Sequence, residues 1–160
     1  MTKTLFSILF SCIFFVPSSG QVKLTSKFFK VTDATVQTWS AGASQPNGKG
    51  QSGNIYQVKL TVTKANQARF DSLVVDGNVW PTETVKGSAR NYSGPLAKGD
   101  QIIVLARTEN GQPIKKPSPK ITNAIATNKA KAFLCYSIKG KQCLFPITSF
   151  KEVSDQMKNQ

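Results

Sequence analysis

Histidine is absent from this 160-residue chain, acidic side chains number only eight, and cysteines only three. Each shortage excludes some chemistry. Without imidazole there is no Ser-His-Asp or Cys-His nucleophile, no His-ligated zinc and no proton shuttle near neutral pH. The main catalytic option left is a glycosidase-type pair of carboxylates, drawn from Asp33, Asp71, Asp76, Glu83, Asp100, Glu109, Glu152 and Asp155. No pair stands out. Asp76 and Asp100 sit in turn contexts where Asp has a local structural job, and Glu152 and Asp155 lie in a polar tail. The Asp/Asn spacing of a calcium loop and the Gly-x-x-x-x-Gly-Lys-Ser/Thr pattern of a phosphate loop are also missing. The sequence therefore predicts no enzyme, no metal site and no cofactor.

What the chain does contain begins with a leader. Met1-Thr-Lys3 supplies a positive start, Leu5 to Val16 is an apolar run of twelve residues, and Ser18 and Gly20 occupy small-residue positions before a cut. Residues 1–20 read as a secretory signal peptide cleaved before Gln21, which predicts a secreted or periplasmic protein. The run falls short of the ~20 apolar residues that span a bilayer, so the chain is not expected to cross a membrane. Cys12 follows Leu9-Phe-Ser, but Phe10 fits a lipoprotein signal poorly and the apolar run continues past the cysteine. Lipid anchoring there is not expected.

Without the leader, 20 basic residues face 8 acidic ones, a net charge of +12, and Cys135 and Cys143 are the cysteines that remain. In an oxidising compartment such a pair predicts a disulfide. A three-residue loop, Ile138-Lys139-Gly140, would place Cys135 opposite Cys143 and Phe133 opposite Phe145, whereas a two-residue loop would put the cysteines on opposite faces. The disulfide favours the first register.

At 39% hydrophobic and 9% aromatic, the chain has the material for a core and is not of disordered composition. Strand patterns dominate. Asn54 to Lys64 alternates apolar and polar residues, Gln101 to Arg107 is an apolar run of strand length, and Phe70 to Val75 with Asp76-Gly77 and Val79-Trp80 carries the strongest hairpin signal. Pro81 limits how far that second strand continues inside a sheet. No window holds a sustained helical period, and only the tail from Phe150 to Gln160 is left for a short helix or a free end. The expectation is an all-β fold, a Greek-key β-sandwich of seven to nine strands over residues 21–150 with a polar tail at 151–160.

The order of motifs resembles the bacterial extracellular immunoglobulin-like domains. It rests on the Tyr-x-Val-x-Leu-x-Val strand from Tyr56 to Val62, the strand ending at Asp76-Gly77, the Leu-x-x-Gly-Asp approach from Leu96 to Asp100, and a final hairpin containing Tyr136. The resemblance covers roughly residues 50 to 150 and implies adhesion, spacing or binding at the cell envelope.

Two features are candidate sites. Residues 41–53 form a Gly-rich stretch bracketed by Trp39 and Tyr56, a loop beside aromatics that would suit a sugar or peptide, against the plainer reading of a mobile connection. Between Glu109 and Glu152 no acid occurs, while Lys115, Lys116, Lys120, Lys129, Lys131, Lys139, Lys141 and Lys151 do. Such a field predicts attraction to anionic polysaccharide or lipid head groups, against the plainer reading of a solvated surface. Nucleic acid is not the expected partner: 17 of the 20 basic residues are lysine, arginine being favoured for phosphate, and aromatics are not interleaved with them. Another envelope protein, docked by a sheet edge or the Trp39 region, is the remaining partner class.

Overall fold

The computed structural model describes residues 27–41, 51–110, 115–126, 128 and 130–153. The expected leader at 1–20, its expected cleavage point before Gln21, most of the 41–53 stretch and the expected tail beyond Val153 lie outside them. The elements in chain order are β1 (Phe29–Ser40), β2 (Ser52–Val62), β3 (Arg69–Val75), β4 (Asn78–Val85), β5 (Gln101–Arg107), α1 (Pro119–Ala126), β6 (Ala132–Ile138), β7 (Lys141–Ile147) and β8 (Lys151–Glu152).

The all-β class is present, with eight strands in one mixed sheet curled into a half-barrel, ordered β7-β6-β3-β4-β5-β2-β1-β8. β4 makes the sheet continuous. Its first half, Asn78 to Pro81, pairs with β3, and its second half, Thr82 to Val85, pairs with β5. The change of partner follows Pro81, which has no N–H to give to a ladder. One strand thus serves both halves of the sheet.

Alternation along β2 and β5 does what the sequence pattern requires. Tyr56, Val58, Leu60 and Val62 are buried on the concave face with Ile102, Val104 and Ala106. Across from them stand Phe70, Leu73, Val75, Leu134 and Tyr136, so both halves of the sheet share one core. The outer face of β3, β6 and β7 is also covered. Val74, Phe133, Cys135 and Leu144 pack beneath Ile121, with Ala124 and Ile125 against them, and β6 is accordingly apolar on both faces, as sheets covered on both sides are.

α1 is the helix that the periodicity did not predict. Pro119 opens it, as suits a first helical position, and the Ser118 carbonyl accepts the Thr122 N–H at 2.9 Å. At the other end the Asn128 side chain donates to the Ala124 carbonyl at 3.2 Å.

The final hairpin corrects the disulfide expectation. Ile138 pairs with Lys141 around a two-residue turn, with φ of 50° at Lys139 and 73° at Gly140, the type I′ geometry that matches strand twist. Cys135 therefore faces Leu144, Tyr136 faces Cys143, and Phe145 faces Leu134 instead of Phe133. Both thiols are free. Cys135 is buried under α1, where desolvation pushes its thiol upward, and Cys143 is half-buried against the concave core on the other face.

Candidate functional site

Where β4 passes from β3 to β5, its first half and the end of β5 diverge, and the gap is a cleft of about 830 Å³. Val79, Trp80 and Pro81 form one wall. Arg107 and Glu109 come from the end of β5, Lys115 to Ser118 from the segment leading into α1, and Ile121 and Gln142 from the outer face. Asp71 completes the set. The β3–β6 register shifts between Phe70 and Ser72, and a bulge of this kind re-aims the side chain of the inserted residue.

The cations in the cleft are held by identifiable contacts. The Arg107 guanidinium carbon lies 3.7 Å from the centroid of the Trp39 ring, a cation–π contact that leaves the guanidinium edge available for hydrogen bonding. Trp39 is itself fixed, its indole N–H donating to the Thr108 carbonyl at 3.1 Å. Thr108 is tied in turn to Asn54, whose N–H donates to the Thr108 hydroxyl at 2.8 Å and whose carbonyl accepts the Thr108 N–H at 2.8 Å. Gly53 lies under this junction, and a Cβ there would overlap the Thr108 carbonyl oxygen. The Lys115 carbonyl accepts the Val79 N–H at 2.8 Å, and the Lys116 ammonium donates to the Asn78 side chain at 2.8 Å. Among the described residues neither Arg107 nor Lys115 has a carboxylate within ion-pair distance.

The structure separates residues that the sequence groups together. Trp39 pairs with Gly53 and Tyr56 with Val36, three positions apart on the β1–β2 ladder, so the two aromatic side chains project from opposite faces. Tyr56 is buried against Phe150, ring centroids 5.1 Å apart, and its hydroxyl is pushed upward by burial and by Asp76, against a hydrogen bond with Asn54.

The lysines divide in the same way. Lys115 and Lys116 line the cleft. Lys131 precedes Ala132, which pairs with Val75 beside the β3–β4 turn, whereas Lys139 and Lys141 flank the turn at the far end of β6, roughly 20 Å away along the strand. Lys129 and the Lys120 side chain lie outside the described residues. Lys151 is paired with Asp33 at 3.4 Å.

Three carboxylates are paired with bases. Asp33 meets Lys59 and Lys151, Glu83 meets Arg90 at 2.7 Å, and Asp100 meets Lys86 at 2.6 Å. Burial works against the Asp33 charge, but its two lysines hold its carboxyl below the usual range. Asp71 and Glu109 are the acids that line the cleft. Among the described residues no group of three or more His, Cys, Asp or Glu is placed to hold a metal, and no helix is long and apolar enough to cross a membrane.

The sequence singles out Lys115 and Lys116, but not Asp71, Trp80, Arg107 or Glu109, as parts of one site. The available signal was Pro81 inside a strand, which confines that part of the strand to an edge or a bulge. Comparison with protein families, with curated proteins and with solved structures finds no match for the chain.

Proposed function

We propose that this chain is an exported, non-catalytic binding domain of the cell envelope, with an immunoglobulin-like arrangement of strands and its ligand site in the cleft beside Trp80. The strand order supports the arrangement. β1, β2, β5 and β4 follow one another on one side, as strands A, B, E and D do in an immunoglobulin constant-type domain, and β3, β6 and β7 correspond to C, F and G. The succession β6-β3-β4-β5 also follows Greek-key order.

One observation carries the binding reading: a cleft of about 830 Å³ on which apolar surface and several charged groups, Arg107, Lys115 and Lys116 among them, converge. That size is within the range of small-ligand sites. Export rests on the leader at 1–20, and the partner classes are anionic polysaccharide, lipid head groups or another envelope protein.

Fractionating cells that express the full chain tests the proposal. The mature protein is expected outside the cytoplasm with Gln21 as its first residue, and its retention on isolated envelope material is expected to fall when Lys115 and Lys116 are both changed to Gln. An intact leader on cytosolic protein, or retention indifferent to those changes, overturns it.

A second reading takes Asp71 and Glu109, both in the cleft, as the carboxylate pair of a glycan-acting enzyme. New reducing ends from an oligosaccharide, lost in both Asp71→Asn and Glu109→Gln, would select that reading over the first.

A further inference from the structure

We propose that the cleft takes a short acidic oligosaccharide, its acid groups held by Arg107, Lys115 and Lys116, its hydroxyls by Asp71, and a sugar face laid on the Pro81 and Pro117 rings. This inference deepens the binding reading and rests on it.

Charge complementarity comes first. Arg107 and Lys115 enter the cleft without a carboxylate partner among the described residues, and Lys116 is joined only to the neutral Asn78 side chain. Stacking on Trp39 holds the Arg107 guanidinium flat, and a planar fork of N–H donors matches the paired oxygens of a carboxylate or sulfate.

The cleft is nevertheless not purely basic, because Asp71 and Glu109 stand in the same wall. A ligand with an acid on every sugar or peptide unit would meet them in repulsion. One whose acid groups are spaced by hydroxyl-bearing units presents donors there instead, and a carboxylate accepts them well.

The backbone argues against an extended peptide. Peptides that bind beside a strand do so by adding to its ladder. Here the open edge of β4 has Pro81, with no N–H, and Val79, whose N–H is already given to the Lys115 carbonyl. Recognition is left to side chains and to the rigid apolar surfaces of Pro81 and Pro117. That is how a ring-shaped, hydroxylated ligand is held.

The test titrates the mature protein with four probes: an oligogalacturonate, which carries carboxylates only; a chondroitin sulfate oligosaccharide, which carries sulfates as well; a neutral malto-oligosaccharide; and a Glu-rich peptide. Tryptophan fluorescence and calorimetry report binding. One or both acidic sugars are expected to bind, and which of them does identifies the acid group. Their affinity should fall about tenfold or more in Arg107→Lys, which keeps the charge and loses the fork, and in Lys115→Gln. It should also fall as salt rises from about 50 to 300 mM. Lys64→Gln with Lys98→Gln, exposed beyond the end of the β2–β5 ladder opposite Arg107, should bind as the parent does. Equal or tighter binding of the neutral sugar or the peptide overturns the ligand class, as does equal damage from this distant variant. If no probe binds while envelope retention still depends on Lys115 and Lys116, the acidic-sugar inference fails and the binding reading stands. If that dependence is absent too, both fail.

Discussion

Gly53 shows how much can rest on a missing side chain. Its Cα lies so close to Thr108 that a Cβ would collide with the carbonyl oxygen that accepts the Trp39 N–H. Gly53→Ala should therefore cost about 1–3 kcal/mol through overpacking and release Trp39, seen as a lower urea midpoint and a red-shifted tryptophan emission. The Lys86–Asp100 pair gives a second residue-scale prediction. Hydrogen bonds from Lys86 and from the Ala97 N–H hold the Asp100 carboxyl below its ordinary value of 3.8, and the Asp100 bond pushes Lys86 above 10.5. A depressed carboxylate stabilises the fold above its unfolded value and loses that contribution as pH falls through the folded one. A raised lysine contributes fully below its unfolded value and loses it as pH rises through the folded one. Asp100→Asn should thus lower the thermal midpoint at neutral pH, and the gap to the parent should narrow below 3.8 and above 10.5.

At the level of elements, one residue of register in the last hairpin decides the cysteine chemistry. Non-reduced, unfolded protein spanning residues 21–160 should titrate for two thiols. In the folded state Cys143 should react first, because Cys135 lies beneath Ile121. Removing that cover with Ile121→Ala should cost about 2–5 kcal/mol and speed modification of Cys135. The Asp76-Gly77 hairpin was legible in the sequence because turn chemistry and strand pattern agreed. The Lys139-Gly140 turn is hidden in the sequence, because a cysteine pair favours the other register and Lys rarely takes the positive φ, 50°, that it has here. α1 was missed because it is only about two turns long, although Ile121, Ala124 and Ile125 carry the helical spacing. The cleft was illegible for another reason. Its residues come from β3, β4, β5 and the approach to α1, and no local pattern records which loops a fold brings together.

For the whole molecule, the shared core matters more than the division of the sheet. Phe29, Val58 and Ile102 from one half pack in one cluster with Leu73, Leu134 and Tyr136 from the other, and β4 belongs to both. The halves should therefore unfold together. Leu134→Ala, at a fully buried position, should cost about 2–5 kcal/mol and move the fluorescence and far-UV transitions by the same amount. Two separated transitions would show that the halves are independent. The all-β class and the approximate strand number were legible because alternation is local, while the pairing of β2 with β5 and of β3 with β6 is not.

The short β8 strand has a mechanical consequence. It runs parallel to β1 and pairs with it only at Thr35 and Val36, with one further bond from the Val153 N–H to the Val36 carbonyl. Because the two strands point the same way, tension on the chain's two ends loads this patch in shear. The long β1–β2 ladder next to it, from Phe29 to Ser40, is far more extensive. Under load β8 should peel away first and act as a fuse, lengthening the chain at its C-terminal end while the half-barrel stays shut.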